Sequence, residues 1–295
     1  MPLAYLLVEG DVDTSIFTEI FQGSPPCKPG GSKETLAPQV RRCREPDENK
    51  DKDESTGDHK RTLKKGVMAA YLRDRDFDFE PPPDLDQPTI DVAAKSEGEP
   101  PLGWRLNRHS IESYLLDPRV VGATFNVPEA DWEHLICTAG KEIAAYEAGR
   151  WTIAQLRSGL PRPFKLQTSA ISKGDFALPK SRSQTDVETW CRQTVSTFRR
   201  TVEDALSDEA LTVAFGNRCQ QFSDDFCSDS RQILVWFSGK DLFAAVKQLP
   251  ELPQQIKQHS CDKLREKLRD WVIANADQFL SWFPELSALK EKLNA

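Results

Sequence analysis

Leu6-Leu7-Val8-Glu9-Gly10-Asp11-Val12-Asp13 is the stretch on which the fold turns. The aliphatic run Leu6 to Val8 reads as a strand buried on both faces, the pattern of a parallel sheet. It stops at Glu9 and Gly10, where glycine permits a tight turn or a close backbone approach. Asp13 stands where a helix can begin, and Ile16, Phe17, Ile20 and Phe21 mark one face of that helix. A second strand end of the same kind lies downstream. An apolar run from Val67 to Leu72 closes on Asp74-Arg75-Asp76-Phe77-Asp78. If the strand continues, the period of two puts Asp74 and Asp76 on one side of it; if the chain is turning, they can still converge. Strand ends crowded with acids need cations between them, and all-oxygen ligands suit Mg²⁺ or Mn²⁺. The plainer alternative is a charged loop in which aspartates alternate with arginines.

Outward from these strand ends the chain is a mosaic. The stretch 23–65 reads as irregular, broken by Pro25, Pro26, Pro29, Gly30 and Gly31, with a charged surface loop over 45–58. Residues 80–101 are rich in prolines and acids and read as another excursion. Trp104 to Leu106 is expected as a short strand and Ser110 to Leu116 as a helix with Ile111, Tyr114 and Leu115 inward. Helical periodicity dominates 128–230, notably 129–147 and 186–206. Gln232 to Phe237 reads as a strand, Ser238-Gly239-Lys240 opens a helix to Val246, and 255–293 reads as two helices separated near Asn275. The expected architecture is α/β, a parallel sheet flanked by helices. Its core would comprise 1–117 and 231–250, with a mainly helical insertion over 118–230 and C-terminal helices over 251–295. Ligands of open α/β sheets sit at the strand ends.

Composition narrows the class. The 295 residues are 38% hydrophobic and 29% charged, enough for one large domain or two modest ones. No apolar run nears the roughly 20 residues that span a bilayer, and the N-terminus lacks a charged region ahead of an apolar stretch. The seven cysteines are scattered and form no CxxC, so an intracellular, cytoplasmic chain with reduced thiols is expected. Histidines and cysteines make no zinc pattern. The net charge of −7 argues against bulk attraction to nucleic acid, although an acidic metal site would supply part of that count beside a local basic groove. Candidate groove residues are Arg73, Arg75, Arg105, Arg108 and His109, near the motifs, with basic clusters at Arg41, Arg42 and Arg44 and at Lys60, Arg61, Lys64 and Lys65. Such clusters are more often solvated surface.

Leu7-Val8-Glu9-Gly10-x-x-Asp13 followed by Asp74-x-Asp76 resembles the Toprim domain shared by topoisomerases, bacterial primases and OLD-type nucleases. His109-Ser110-Ile111-Glu112-Ser113-Tyr114-Leu115-Leu116 resembles a helix signature of the stand-alone Toprim proteins related to OLD nucleases. Ser238-Gly239-Lys240-Asp241-Leu242 resembles that group's late glycine–lysine motif. The resemblance covers about 1–116 and 232–246.

It implies a nuclease with paired Mg²⁺ or Mn²⁺ ions held by Glu9, Asp13, Asp74, Asp76 and Glu112. Glu9, Asp74, Asp76 and Lys240 would be catalytic, the lysine stabilising the phosphoryl group or its leaving oxygen; Asp78 would stand behind them. Bland readings remain beside these: Glu112 as an ordinary helix residue, Lys240 as a surface lysine, His109 as a structural hydrogen-bonding residue. The motif order is also similar to the tRNA-attacking nuclease of PARIS-type anti-phage systems. That implies a nucleic-acid substrate, tRNA or DNA, and an OLD- or ABC-type ATPase partner encoded nearby, since no Gly-x-x-x-x-Gly-Lys-Ser/Thr loop occurs here. A homodimer through the aromatic-rich C-terminal helices is a further expectation, against their packing on the sheet. The competing classes are another Toprim reaction and a catalytically silent regulatory module. Strand passage would need a nucleophilic tyrosine, and Tyr114 sits in an apolar helix pattern.

Overall fold

A computed structural model describes residues 3–44, 67–91, 103–160 and 184–294. The charged loop at 45–58, the Lys60–Lys65 cluster and residues 92–101 lie outside the described residues. Strands β1 (Tyr5–Val8), β2 (Cys27–Pro29), β3 (Ala69–Arg73), β4 (Thr89–Ile90) and β5 (Gly103–Arg105) form one sheet in the order β2-β1-β3-β5-β4. All neighbouring pairs are parallel except β4 with β5. Helices α1 (Asp11–Ile20) and α2 (Lys33–Arg44) belong to the first crossovers. After β5 come α3 (Ile111–Leu115), α4 (Pro118–Phe125), α5 (Glu129–Gly159), α6 (Gln184–Ala205), α7 (Asp208–Gln221), α8 (Ser230–Trp236) and α9 (Gly239–Val246). The chain ends in α10 (Gln254–Lys257), α11 (Cys261–Ala274), α12 (Ala276–Trp282) and α13 (Pro284–Asn294). This is the α/β class expected, a mostly parallel sheet flanked by helices.

The alternation of side chains along each strand explains why both faces are covered. Leu7, Ala69 and Tyr71 share a buried cluster with Leu36, Val40 and Cys43 of α2. Leu6, Val8, Ala70 and Leu72 alternate with them and are equally buried. On α1, Ile16, Phe17 and Ile20 are buried, and α11 and α12 pack against that helix. The C-terminal helices therefore cover α1. Their expected break falls between α11 and α12, at Asn275; a second one, at Phe283, precedes Pro284, which opens α13 as proline favours.

The chain divides into two compact units, residues 1–143 with 224–295, and residues 144–223. The sheet, α4 and the start of α5 fall in the first. No helix among the described residues is long and apolar enough to cross a membrane.

Three local readings are corrected. Gln232 to Phe237, expected as a strand, is helix α8. The Asp229 carboxylate accepts from the N–H groups of Arg231 (2.8 Å) and Gln232 (3.4 Å), which starts a helix where the apolar run alone suggested a strand. The region after Gly23, expected as irregular, carries β2 and α2. Pro29 is tolerated in β2 because that strand is at the sheet edge. Within 80–101, Thr89–Ile90 likewise forms the short edge strand β4.

Candidate metal centre

The strand order makes β1 and β3 neighbours while β1 leads first to β2 on its other side. The crossovers therefore leave β1 in opposite directions, and the crevice beyond the carboxyl ends of β1 and β3 is the topological switch point of the sheet. Glu9 follows β1 and Asp74 follows β3. Leu7 is paired with Tyr71, so the two chains leave the sheet side by side, and the Asp74 N–H donates to Glu9 Oε1 (3.2 Å).

Three further acids gather there. Gly10 precedes α1, and its N–H donates to Asp13 Oδ2 at 3.1 Å, which holds this carboxylate back over the helix start. Gly10 itself is extended, with φ −131°, so the glycine is not required by its backbone conformation. Asp74 Oδ1 accepts from the Ile111 N–H (3.2 Å) at the start of α3, the helix that carries Glu112. Asp76 sits in a left-handed turn (φ 50°), its N–H donating to the His109 carbonyl (2.9 Å). β3 has thus ended before the acidic motif, and the aspartates converge through a turn instead of through strand alternation. A left-handed non-glycine residue is a local strain that asparagine and aspartate tolerate best.

The electrostatics show how close this gathering is. Burial pushes the Asp74 carboxyl well above the usual carboxylate range, and the charges of Asp13, Glu112, Asp76 and Glu9 push it further. Burial, then Glu112, raises Asp13 to about 6, against the pull of the Gly10 N–H and of Lys240. Glu112 is buried, and its Oε2 has no hydrogen-bond partner among the described residues.

Lys240 is delivered by α9. Ser238 caps that helix, its Oγ accepting from the Asp241 N–H at 3.4 Å. Gly239 lets the helix start press on α3: a Cβ there would lie 2.5 Å from the Ser113 nitrogen and 2.8 Å from Glu112 Cβ. Lys240 Nζ consequently stands 3.9 Å from Glu112 Oε1 with its side chain 63% exposed. Glu112 chiefly, with help from Asp74, Asp76 and Asp13, raises the lysine further above its ordinary value, so the ammonium stays charged. Arg265 of α11, which no motif in the sequence singled out, approaches the same Glu112 oxygen at 3.8 Å.

The basic candidates for a nucleic-acid groove go elsewhere. Arg73 is buried against Asp91 (2.6 Å), which also accepts from the Tyr71 hydroxyl (2.8 Å); Asp78 joins this network through Arg73 at 3.4 Å. Arg75 is fully buried and donates to the carbonyls of Asn107, Phe79 and Val235. Arg108 is buried with Asp117 (2.7 Å), and the Arg105 guanidinium lies over the Phe79 ring at 4.0 Å. His109 is buried edge-on to Phe77. The guanidinium groups of Arg73, Arg75 and Arg108 are committed to buried carboxylates and carbonyls, and they hold together the loops that shape the site. Trp104 and Trp151 are core residues as well.

Comparison with protein-family models, curated proteins and solved structures yields no match. Among the described residues, no three His, Cys, Asp or Glu side chains form a ready-made ligand group. The donor set nevertheless fits a hard divalent cation. Its members are carboxylates, their charges repel one another at Asp74, and one buried Glu112 oxygen lacks a partner among the described residues. The acids are electrostatic neighbours that a cation would draw together.

Proposed function

We propose that the protein is a divalent-metal-dependent nuclease of Toprim type that hydrolyses phosphodiester bonds in nucleic acid, tRNA or DNA. The observation that carries this reading is the convergence of Glu9, Asp13, Asp74, Asp76 and Glu112 with Lys240 at the switch point of a parallel sheet. Glu9, Asp13, Asp74, Asp76 and Glu112 would hold Mg²⁺ or Mn²⁺. Bound there, paired ions would supply Lewis acidity and an activated water for in-line displacement. Lys240, charged and reachable from solvent, offsets negative charge that develops on the phosphoryl oxygens. Burial around Asp74 lowers the local dielectric and strengthens each of these interactions. Tyr114 is fully buried against Phe283, and burial holds its phenol well above the ordinary value, which weighs against strand passage through this tyrosine.

The reading extends to a toxic effector of an anti-phage system, controlled in the cytoplasm by an ATPase partner. A partner or second copy would find apolar surface in the second unit, where Tyr146, Ile153 and Val213 are among the exposed residues. A silent regulatory module is the second reading, favoured by the lack of a ready-made ligand group among the described residues.

The deciding experiment is cleavage of plasmid, single-stranded DNA and total tRNA in Mg²⁺ or Mn²⁺, with and without any ATPase encoded beside it. Cleavage by wild type and none by Glu9→Ala is the expected result. Metal binding without cleavage on every substrate would replace the nuclease by the regulatory module.

A further inference from the structure

We infer that Arg265 is a second phosphate-binding cation of this site, closing with Lys240 on a backbone phosphate oxygen of a nucleic-acid strand when Glu112 is engaged elsewhere. This rests on the nuclease reading for its choice of ligand.

Glu112 Oε1 is shared by two cations, Lys240 Nζ at 3.9 Å and Arg265 Nε at 3.8 Å. Both distances are ion-pair distances, and both exceed the 2.7–3.2 Å of a hydrogen bond. Arg265 Nε is shielded from solvent and has no hydrogen-bond partner among the described residues; Glu112 Oε2 is in the same position. Shielded polar atoms are ordinarily satisfied, and exceptions mark places that something else completes. Donors that need an acceptor and a carboxylate that needs a cation therefore stand together. A divalent cation on Glu112 would take the counter-charge from both donors at once. A phosphate oxyanion between them would supply a counter-charge in its place, and a guanidinium edge beside an ammonium is suited to phosphate.

The surroundings aim Arg265 for this task. Its guanidinium lies 5.6 Å from the Phe243 ring centroid, and Phe243 follows Lys240 on α9 at the i, i+3 spacing that places them on one face. Asp262, one turn back on α11, holds Arg265 Nη1 at 3.4 Å. The side chain remains 28% exposed, within reach of a ligand. The competing role is an anchor that ties α11 to α3. Contacts without a hydrogen bond make a weak anchor, and Leu264, Leu268 and Val272, fully buried, already hold that helix in place.

The test separates binding from cleavage. A fluorescein-labelled single-stranded oligonucleotide is titrated with protein across a salt series in Ca²⁺, which leaves binding readable if no cleavage occurs. Arg265→Gln and Lys240→Gln are each expected to weaken binding roughly tenfold and to lower the slope of log affinity against log salt by about 0.7, the contribution of one phosphate contact to a single strand. Arg265→Lys should keep the slope and lose several-fold in affinity, because an ammonium cannot present the guanidinium fork. Wild-type affinity and slope in Arg265→Gln, or wild-type affinity in Arg265→Lys should the glutamine variant not fold, overturn the inference. Wild-type protein that does not bind overturns it too. Binding that depends on Arg265 without cleavage in Mg²⁺ leaves the inference standing and sinks the nuclease; cleavage indifferent to Arg265 does the reverse.

Discussion

At the scale of single residues, Gly239 and the half-buried aspartates govern the site. Gly239→Ala inserts a methyl 2.5 Å from the Ser113 nitrogen, so α9 must retreat from α3 and carry Lys240 with it. The expected cost is about 1–3 kcal/mol of stability, read by urea unfolding, together with reduced cleavage. The aspartates make stability depend on pH. Asp13 releases its proton near 3.8 in an ordinary setting and near 6 in the fold. Between those values the folded chain keeps a proton that the unfolded chain has lost, so the stability of metal-free protein falls as pH rises through this window. Asp74 adds a loss of the same sign and carries it upward. Asp13→Asn in chelator at neutral pH should therefore unfold at higher urea than wild type, by about 1–3 kcal/mol. Lower stability in this variant would mean that the carboxylate is compensated in the folded protein.

At the scale of elements, caps and buried ties position the acidic side chains and Lys240. Ser238→Ala removes the α9 cap and should cost about 1 kcal/mol, with the loss read by thermal unfolding. Arg75 joins three segments through carbonyls of Asn107, Phe79 and Val235. Arg75→Met leaves those carbonyls in want of donors and should destabilise by about 3 kcal/mol or more, visible as a lower urea midpoint. Because the Val235 carbonyl lies in α8, the element misread as a strand is part of what steadies the acidic turn. Its Ile-Leu-Val run is short and apolar throughout, and such a run carries no period that separates a buried strand from a buried helix. The burial of Arg73, Arg75 and Arg108 was illegible for a related reason: a sequence shows that they flank the acids but not which carboxylates and carbonyls will claim them.

At the scale of the molecule, metal should act as a folding ligand. Mg²⁺ or Mn²⁺ at about a hundred times its dissociation constant would add roughly 2.7 kcal/mol to stability. The melting temperature of wild type is expected to rise on metal addition, and the rise to vanish in Glu9→Ala. An equal rise in both proteins would place the ion elsewhere. All the proposed ligands lie in the unit formed by residues 1–143 and 224–295, so residues 144–223 contribute none of them.

The sequence by itself determined the two acidic strand ends, the helices that follow Gly10, Ser110 and Ser238, and the parallel-sheet class. Those features are local: buried strands show as aliphatic runs, and helix starts show as capping residues ahead of a periodic face. Only the tertiary structure decided that β1 and β3 are neighbours and that α8 is helical. It alone brought Arg265 of α11 to Glu112 and turned Arg73, Arg75 and Arg108 inward. Pairing across long sequence separation depends on which faces bury together and which charges compensate there, and neither is written in the spacing of residues along one segment.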